Sequence, residues 1–194
     1  VVQLEEIMVT ATKREEALQT VPVAVTVVSG AQLEEANLNS MEAITARIPT
    51  LNFRANASNK DTSLFIRGVG TISTSPGVEP SVATVVDGVV FGRAGMATLD
   101  LMDIARLEVL RGPQGTLFGK NASSGVVNIV SQAAPEELSG TLDLAWYEGD
   151  ERRARASIGG SLTDTVRASL HLLHGEFDGV QTNTFLGRKV GGYD

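Results

Sequence analysis

Hydrophobic and polar positions change their period twice along this chain. Over 21–30, "VPVAVTVVSG", the apolar residues run almost without break and predict a strand, with Pro22 suited to its entry. "SGAQ" then offers a capping box, Ser29 as N-cap and Gln32 three residues on, so a short helix is expected to about Asn37. "NSME" repeats the signal with Asn39 and Glu42. Met41, Ile44 and Ile48 fall on one helical face before Pro49 stops it.

Residues 51–55 and 63–68 read as short strands around a polar loop. In "VATVVDGVVFG", Asp87-Gly88 between two valine pairs is the strongest local hairpin signal in the chain. Residues 96–104, "MATLDLMDI", fit one or two helical turns. "ARLEVLRG" and "GVVNIVS" read as strands on either side of a glycine-rich loop. Residues 21–131 therefore read as an α+β domain, a mixed β-sheet with short helices.

After Pro135 the pattern becomes strict alternation. Leu142, Leu144 and Trp146 share one strand face, with Thr141, Asp143, Ala145 and Tyr147 on the other. Ala154, Ala156 and Ile158 oppose Arg153, Arg155 and Ser157. Val166, Ala168, Leu170 and Leu172 oppose Arg167, Ser169 and His171, after a tight turn near 162–165. Strands of about ten residues with one apolar face fit an outer-membrane β-barrel, and also fit a soluble amphipathic sheet. At the other end, residues 1–20 are polar apart from "EEIMVTATK", where Ile7 and Val9 share a face opposite Met8 and Thr10. This segment is expected to be a flexible arm with strand propensity.

Composition narrows the functional classes. The net charge of −7 argues against a nucleic-acid partner. The chain has no cysteine, which excludes disulfide scaffolds, zinc ribbons and thiol nucleophiles. His171 and His174 are three apart in a strand pattern, so they fall on opposite faces and do not suggest a shared metal. No run reaches the ~18 apolar residues of a spanning helix. The first residues lack a signal-peptide pattern, so the expectation is a chain either not exported or given after processing. The end, "GRKVGGYD", reads as an interrupted loop.

Nucleotide motifs fail in the glycine-rich loop. Aligned on Gly119-Lys120, a Walker A pattern would need a glycine where Gln114 stands and a hydroxyl where Asn121 stands. "GPQGTLFG" also lacks the dinucleotide fingerprint. There is no G-x-S-x-G elbow and no H-E-x-x-H helix. Asp87, Asp100, Asp103 and Glu108 are carboxylates near apolar segments, and a hairpin or surface role is expected for them rather than general-base catalysis. Arg67 and Arg111 share a context, "FIRG" and "VLRG", each ending an apolar run before a glycine. A buried guanidinium needs acceptors.

"EEIMVTATKREE", "FIRGVG", "VVDGVVFG" and "DIARLEVLRGPQGTLFGKNASSGVVNIVS" together resemble a TonB-dependent outer-membrane receptor, over the whole chain. The resemblance implies three parts: residues 1–20 as an arm carrying a TonB box, 21–134 as a plug, and 135–194 as the first antiparallel strands of a transmembrane barrel. Glu6, Ile7, Met8, Val9, Thr10 and Ala11 look like the box, which would add as a strand to the periplasmic partner TonB. Arg67 and Arg111 match plug arginines that pair in the family with barrel-wall glutamates, which would lie beyond residue 194. Gly68, Asp87, Gly88, Gly112, Gly115, Gly119 and Gly125 are expected to form plug turns.

The family implies energised uptake of a scarce nutrient such as an iron–siderophore complex. It implies a Gram-negative outer-membrane location, contact with membrane lipid, a plug in the barrel lumen and a periplasmic N-terminus. It implies no covalent chemistry, no cofactor and no resident metal. The plug apices would fall near 58–62 and 72–78. A working barrel must close, and at most three strands are expected here. The barrel is thus expected to be incomplete, the chain being an N-terminal piece or a truncated product. A soluble plug-like binding or signalling module is the alternative reading.

Overall fold

The computed structural model describes residues 7–36, 38, 40–55, 62–72, 77–93, 103–147, 150–179, 181–190 and 192. Most of the helical reading of 96–104, the Asn39 cap, Asp100, and most of the two expected apices lie outside the described residues; of 96–104 only residues 103 and 104 are described, and Ile104 opens a strand instead of a helical turn. The chain divides into two compact units, residues 1–132 and 133–194.

The first unit is built on a five-stranded mixed sheet. Its strands are β3 (Ala24–Ser29), β7 (Val82–Val86), β8 (Val89–Phe91), β9 (Ile104–Arg111) and β10 (Gly125–Ser131), in the order β3-β9-β10-β7-β8. β10 runs parallel to β7, and the other pairs are antiparallel. The central strands are apolar on both sides because both faces are covered. One face carries Leu107, Val109, Val127, Ile129 and Val82. They pack with Leu33, Met41, Ile44, Ile48, Leu51, Leu64 and Ile66.

These partners come from helices α1 (Gly30–Glu35) and α2 (Met41–Thr45) and from a small sheet of β4 (Leu51–Arg54), β5 (Ser63–Ile66) and β6 (Val69–Gly70). α1 begins with the full capping box: Gln32 N–H donates to Ser29 Oγ, and Ser29 N–H donates to Gln32 Oε1. The α2 cap is Ser40, whose Oγ accepts from Ala43 N–H.

The second face carries Leu110, Val126, Ala83 and Val85, and its cover is the N-terminal segment. β1 (Met8–Val9) pairs with β2 (Glu16–Ala17), and Val9, Ala11 and Val21 are buried against this face with Phe118 and Ala122. The expectation of a flexible arm over residues 1–20 is therefore corrected for the described residues 7–20. Val9 and Ala11 are fully buried, because the second face of the sheet would otherwise lie bare.

The second unit contains an unclosed antiparallel sheet in the order β11 (Ser139–Tyr147), β12 (Glu151–Ser161), β13 (Arg167–Glu176). Its register pairs even positions with even and odd with odd across both interfaces, for example Leu142 with Ala156 and Ala156 with Leu172. All even-numbered side chains thus share one face. That face carries Leu142, Leu144, Trp146, Ile158, Leu170 and Leu172, every one exposed. Trp146, Arg152 and Glu176 form the row at one end.

The odd face carries Thr141, Asp143, Arg153, Arg155, Ser157 and His171, with Thr141 and Ser157 hydroxyls bonded at 2.8 Å. The 162–165 turn is closed by Leu162 N–H donating to Val166 O at 2.8 Å. Residues 188–190 of the stretch read as a terminal loop instead form β15 (Arg188–Val190), paired in a hairpin with β14 (Gln181–Asn183). Lys189 Nζ bonds Asp150 Oδ2 at 2.5 Å. That hydrogen bond holds the exposed Asp150 carboxyl below its usual range and raises the Lys189 ammonium.

Candidate functional site

Two regions of the first unit carry the chemistry-bearing side chains. The first lies where the N-terminal segment crosses the sheet. Ile7 O accepts from Leu18 N–H, so Ile7 and Val9 turn their main-chain groups toward β2. By the alternation of a strand, Met8 and Thr10 turn theirs to the opposite edge. There Thr10 N–H donates to Glu108 Oε1 at 2.8 Å, and Thr10 Oγ1 donates to the same oxygen at 3.1 Å.

Arg106 Nε donates to Oε1 at 2.7 Å. Asn128 Nδ2 donates to Glu108 Oε2 at 3.1 Å and to Thr10 Oγ1 at 3.0 Å. Glu108 has 0% exposure, and both its oxygens act as acceptors. Such charge-assisted bonds are what permits a carboxylate to be buried.

Arg106 and Glu108 stand two apart on β9, and Asn128 lies opposite Glu108 on β10, so one sheet face presents all three. The expectation of a surface or hairpin role for Glu108 is thereby corrected. The sequence signal was its place within "RLEVLR", a carboxylate inside an apolar run. Asp87 does sit in a hairpin turn, where its carboxylate accepts from Ser131 N–H at 2.9 Å and Ser131 Oγ at 2.8 Å.

The second region holds the two arginines. Arg67 and Gly68, with φ of 54° and 78°, are the two central residues of the β5–β6 turn, since Ile66 pairs with Val69. Asp87 and Gly88 repeat this with φ of 47° and 82° between Val86 and Val89. Positive φ at both positions matches a hairpin turn to the strand twist. Arg67 thus sits exposed at a turn rather than at a strand end.

Arg111 ends β9 half-buried. Its Nη1 donates to Thr26 Oγ1 at 2.5 Å, and its Nε is buried without a hydrogen-bond partner among the described residues. Gly125 is the register partner of Arg111, and a Cβ on Gly125 would stand 2.3 Å from Leu110 O and 2.6 Å from Ile66 Cδ1. The elements bearing the two arginines therefore touch at Gly125.

The glycine-rich loop between β9 and β10 is stitched to itself. It contains a helical turn, α3 (Gly115–Phe118), which the sequence did not suggest. Gly112 N–H donates to Ser124 O at 3.1 Å, Gln114 N–H to Ala122 O at 2.8 Å and Gly119 N–H to Gly115 O at 3.0 Å. Gly112 and Gly119 have φ of 96° and 76°. Lys120 turns outward to Glu79, and Lys13 lies 5.5 Å from the Phe118 ring centroid. Among the described residues no cluster of three or more acidic or histidine side chains could hold a metal.

The sequence profile of the TonB-dependent receptor plug domain matches residues 17–126. The chain belongs to the TonB-dependent receptors. The pesticin receptor of Yersinia pestis is 31% identical over 167 residues, covering 85% of this chain and 24% of that protein. The crystal structure of the ferric yersiniabactin uptake receptor FyuA from Yersinia pestis superposes with a TM-score of 0.77. It is 31% identical, over 88% of this chain and 27% of that one. The vitamin B12 transporter BtuB of Vibrio vulnificus is 25% identical over 183 residues, 92% of this chain and 29% of that protein. The chain spans about a quarter of the length of these relatives. Its first unit is the plug of such a receptor, and the three alternating strands that follow are part of an unclosed barrel.

Proposed function

We propose that this chain is the plug and leading barrel wall of a receptor in the outer membrane of a Gram-negative bacterium. The receptor takes up a scarce nutrient with energy delivered by TonB. The observation that carries the reading is the conjunction of the plug match over residues 17–126 with a sheet whose even face presents Leu142, Leu144, Trp146, Ile158, Leu170 and Leu172, all exposed. From Leu138 to Trp146 that face spans eight residue steps, about 27 Å of strand at ~3.4 Å per residue and about 21 Å at a barrel tilt near 40°. An outer-membrane apolar band is about 25 Å.

The cargo we propose is a ferric siderophore, since the 31%-identical solved relative is a ferric yersiniabactin uptake receptor. A cobalamin is the second reading, favoured by the 25% identity to a vitamin B12 transporter. Residues 6–11 serve as the TonB box; in the described part, residues 7–11, Met8–Val9 pair with β2 and Val9 and Ala11 are buried at the sheet face. Arg67 and Arg111 serve as a latch to acidic groups of the barrel wall, and the partnerless Arg111 Nε supports an acceptor outside these residues.

Deleting residues 6–11 in the whole receptor tests the reading. Energised uptake of ferric siderophore or cobalamin should be lost while binding persists. Uptake at normal rates would refute the box assignment.

A further inference from the structure

The box segment is held on both of its strand edges. β2 takes the main-chain groups of Ile7 and Val9, and Glu108 takes the N–H of Thr10 on the other side. A partner strand pairing along that second edge needs the same N–H. We propose that the Glu108 carboxylate, oriented by Arg106 and Asn128, is a clasp that masks the box edge at Thr10, so that a partner strand pairs there only after this bond opens. The inference rests on residues 6–11 being the TonB box.

The geometry favours a clasp over simple burial. Glu108 makes two bonds to one residue of the segment, and Asn128 closes the ring by bonding both Glu108 and the Thr10 hydroxyl. Beyond Thr10 the chain turns, with Lys13 N–H donating to Thr10 O at 2.9 Å. Thr10 is therefore the last box residue with its main chain at the edge before the turn. Val9 and Ala11 on either side are buried, so opening at Thr10 must also lift apolar contacts. Glu108 itself stays fixed by Arg106 from its own strand and by Asn128 from the next. It can thus release the segment without losing its other partners.

The test uses the whole receptor in outer-membrane vesicles. Glu108→Gln keeps the shape but places an amide N–H₂ among donors. Thr10→Val removes the hydroxyl from the ring and keeps the methyl bulk, and Thr10→Ser restores the hydroxyl. A hydrogen bond to a charged group contributes about 1.5–3 kcal/mol, so amide exchange at residues 8–10 should quicken at least about tenfold in E108Q. In T10V it should also quicken, while amides of β10 are unchanged and T10S stays near wild type. Capture of the purified TonB C-terminal domain should rise in step.

Unchanged exchange at residues 8–10 in T10V, or in an assembled E108Q, overturns the clasp. If E108Q does not assemble, T10V decides. Faster exchange with no gain in TonB capture overturns the masking. A free peptide spanning residues 6–11 separates the two ideas: if it does not bind TonB, the box reading fails, whereas a binding peptide with unresponsive variants condemns the clasp alone.

Discussion

Replacing Leu142 by arginine tests whether the even face of the β11–β13 sheet meets lipid. Leu142 lies midway between Leu138 and Trp146 along the chain, opposite Ala156, and is 71% exposed in this unit. Burying a leucine side chain in an apolar medium contributes about 1.5–3 kcal/mol, so its exposed share is worth about 1–2 kcal/mol. An arginine at the bilayer midplane costs a further ~2–4 kcal/mol. The sum is about 3–6 kcal/mol.

The control is Thr141→Arg, one residue away on the opposite face. It loses the exposed hydrogen bond to Ser157, about 1 kcal/mol. The assay is reversible guanidinium unfolding of the whole receptor in phospholipid vesicles, alongside the heat-stable fraction recovered from outer membranes. A deficit of several kcal/mol in L142R beside a near-normal T141R is the expected result. Equal effects, or a neutral L142R, would refute a lipid-facing even side.

Other consequences follow from single contacts. Arg111→Ala and Arg67→Ala should each loosen the plug, read as raised pore conductance and faster plug proteolysis; no change in both would remove the latch. Gly125→Ala drives a Cβ to 2.3 Å from Leu110 O, so an overpacking cost of roughly 1–3 kcal/mol or more should appear as a lower plug melting temperature. The Lys189–Asp150 bond should persist above the ordinary carboxylate pKa of 3.8. It should be lost only as pH falls through the lowered value of folded Asp150. Asp150 carboxyl chemical shifts followed by NMR would check it, and titration at or above the ordinary value would contradict it.

Some of this architecture was legible because the determinants are local. The capping box needs only Ser29 and Gln32, and Met41 and Ile44 reach the core through helical spacing, while Ile48 joins them from beyond the end of α2 at Thr45. The even face of the second unit follows from alternation, and the register preserves it because both hairpins pair residues of equal parity. What escaped depends on distant partners. Glu108 meets Thr10 across 98 residues, and nothing near Glu108 in sequence reveals that bond. The same meeting explains why the N-terminal segment reads as free: its core is supplied by β7, β9 and β10. Arg67 was hidden for a different reason. A bulky residue rarely takes a positive φ, so "FIRG" reads as a strand end until the short β6 places it in a turn.

The most direct test of the central claim is cysteine cross-linking in cells between position 8 and TonB. The 194 residues contain no cysteine, so Met8→Cys introduces a single thiol into them, at a partly exposed site on the proposed box. If this chain is the plug end of a TonB-driven receptor, Met8→Cys should form a disulfide-linked adduct with a cysteine placed in the TonB C-terminal domain. A receptor that reaches the outer membrane yet gives no adduct from cysteines at positions 7, 8, 9 or 10 would contradict the account.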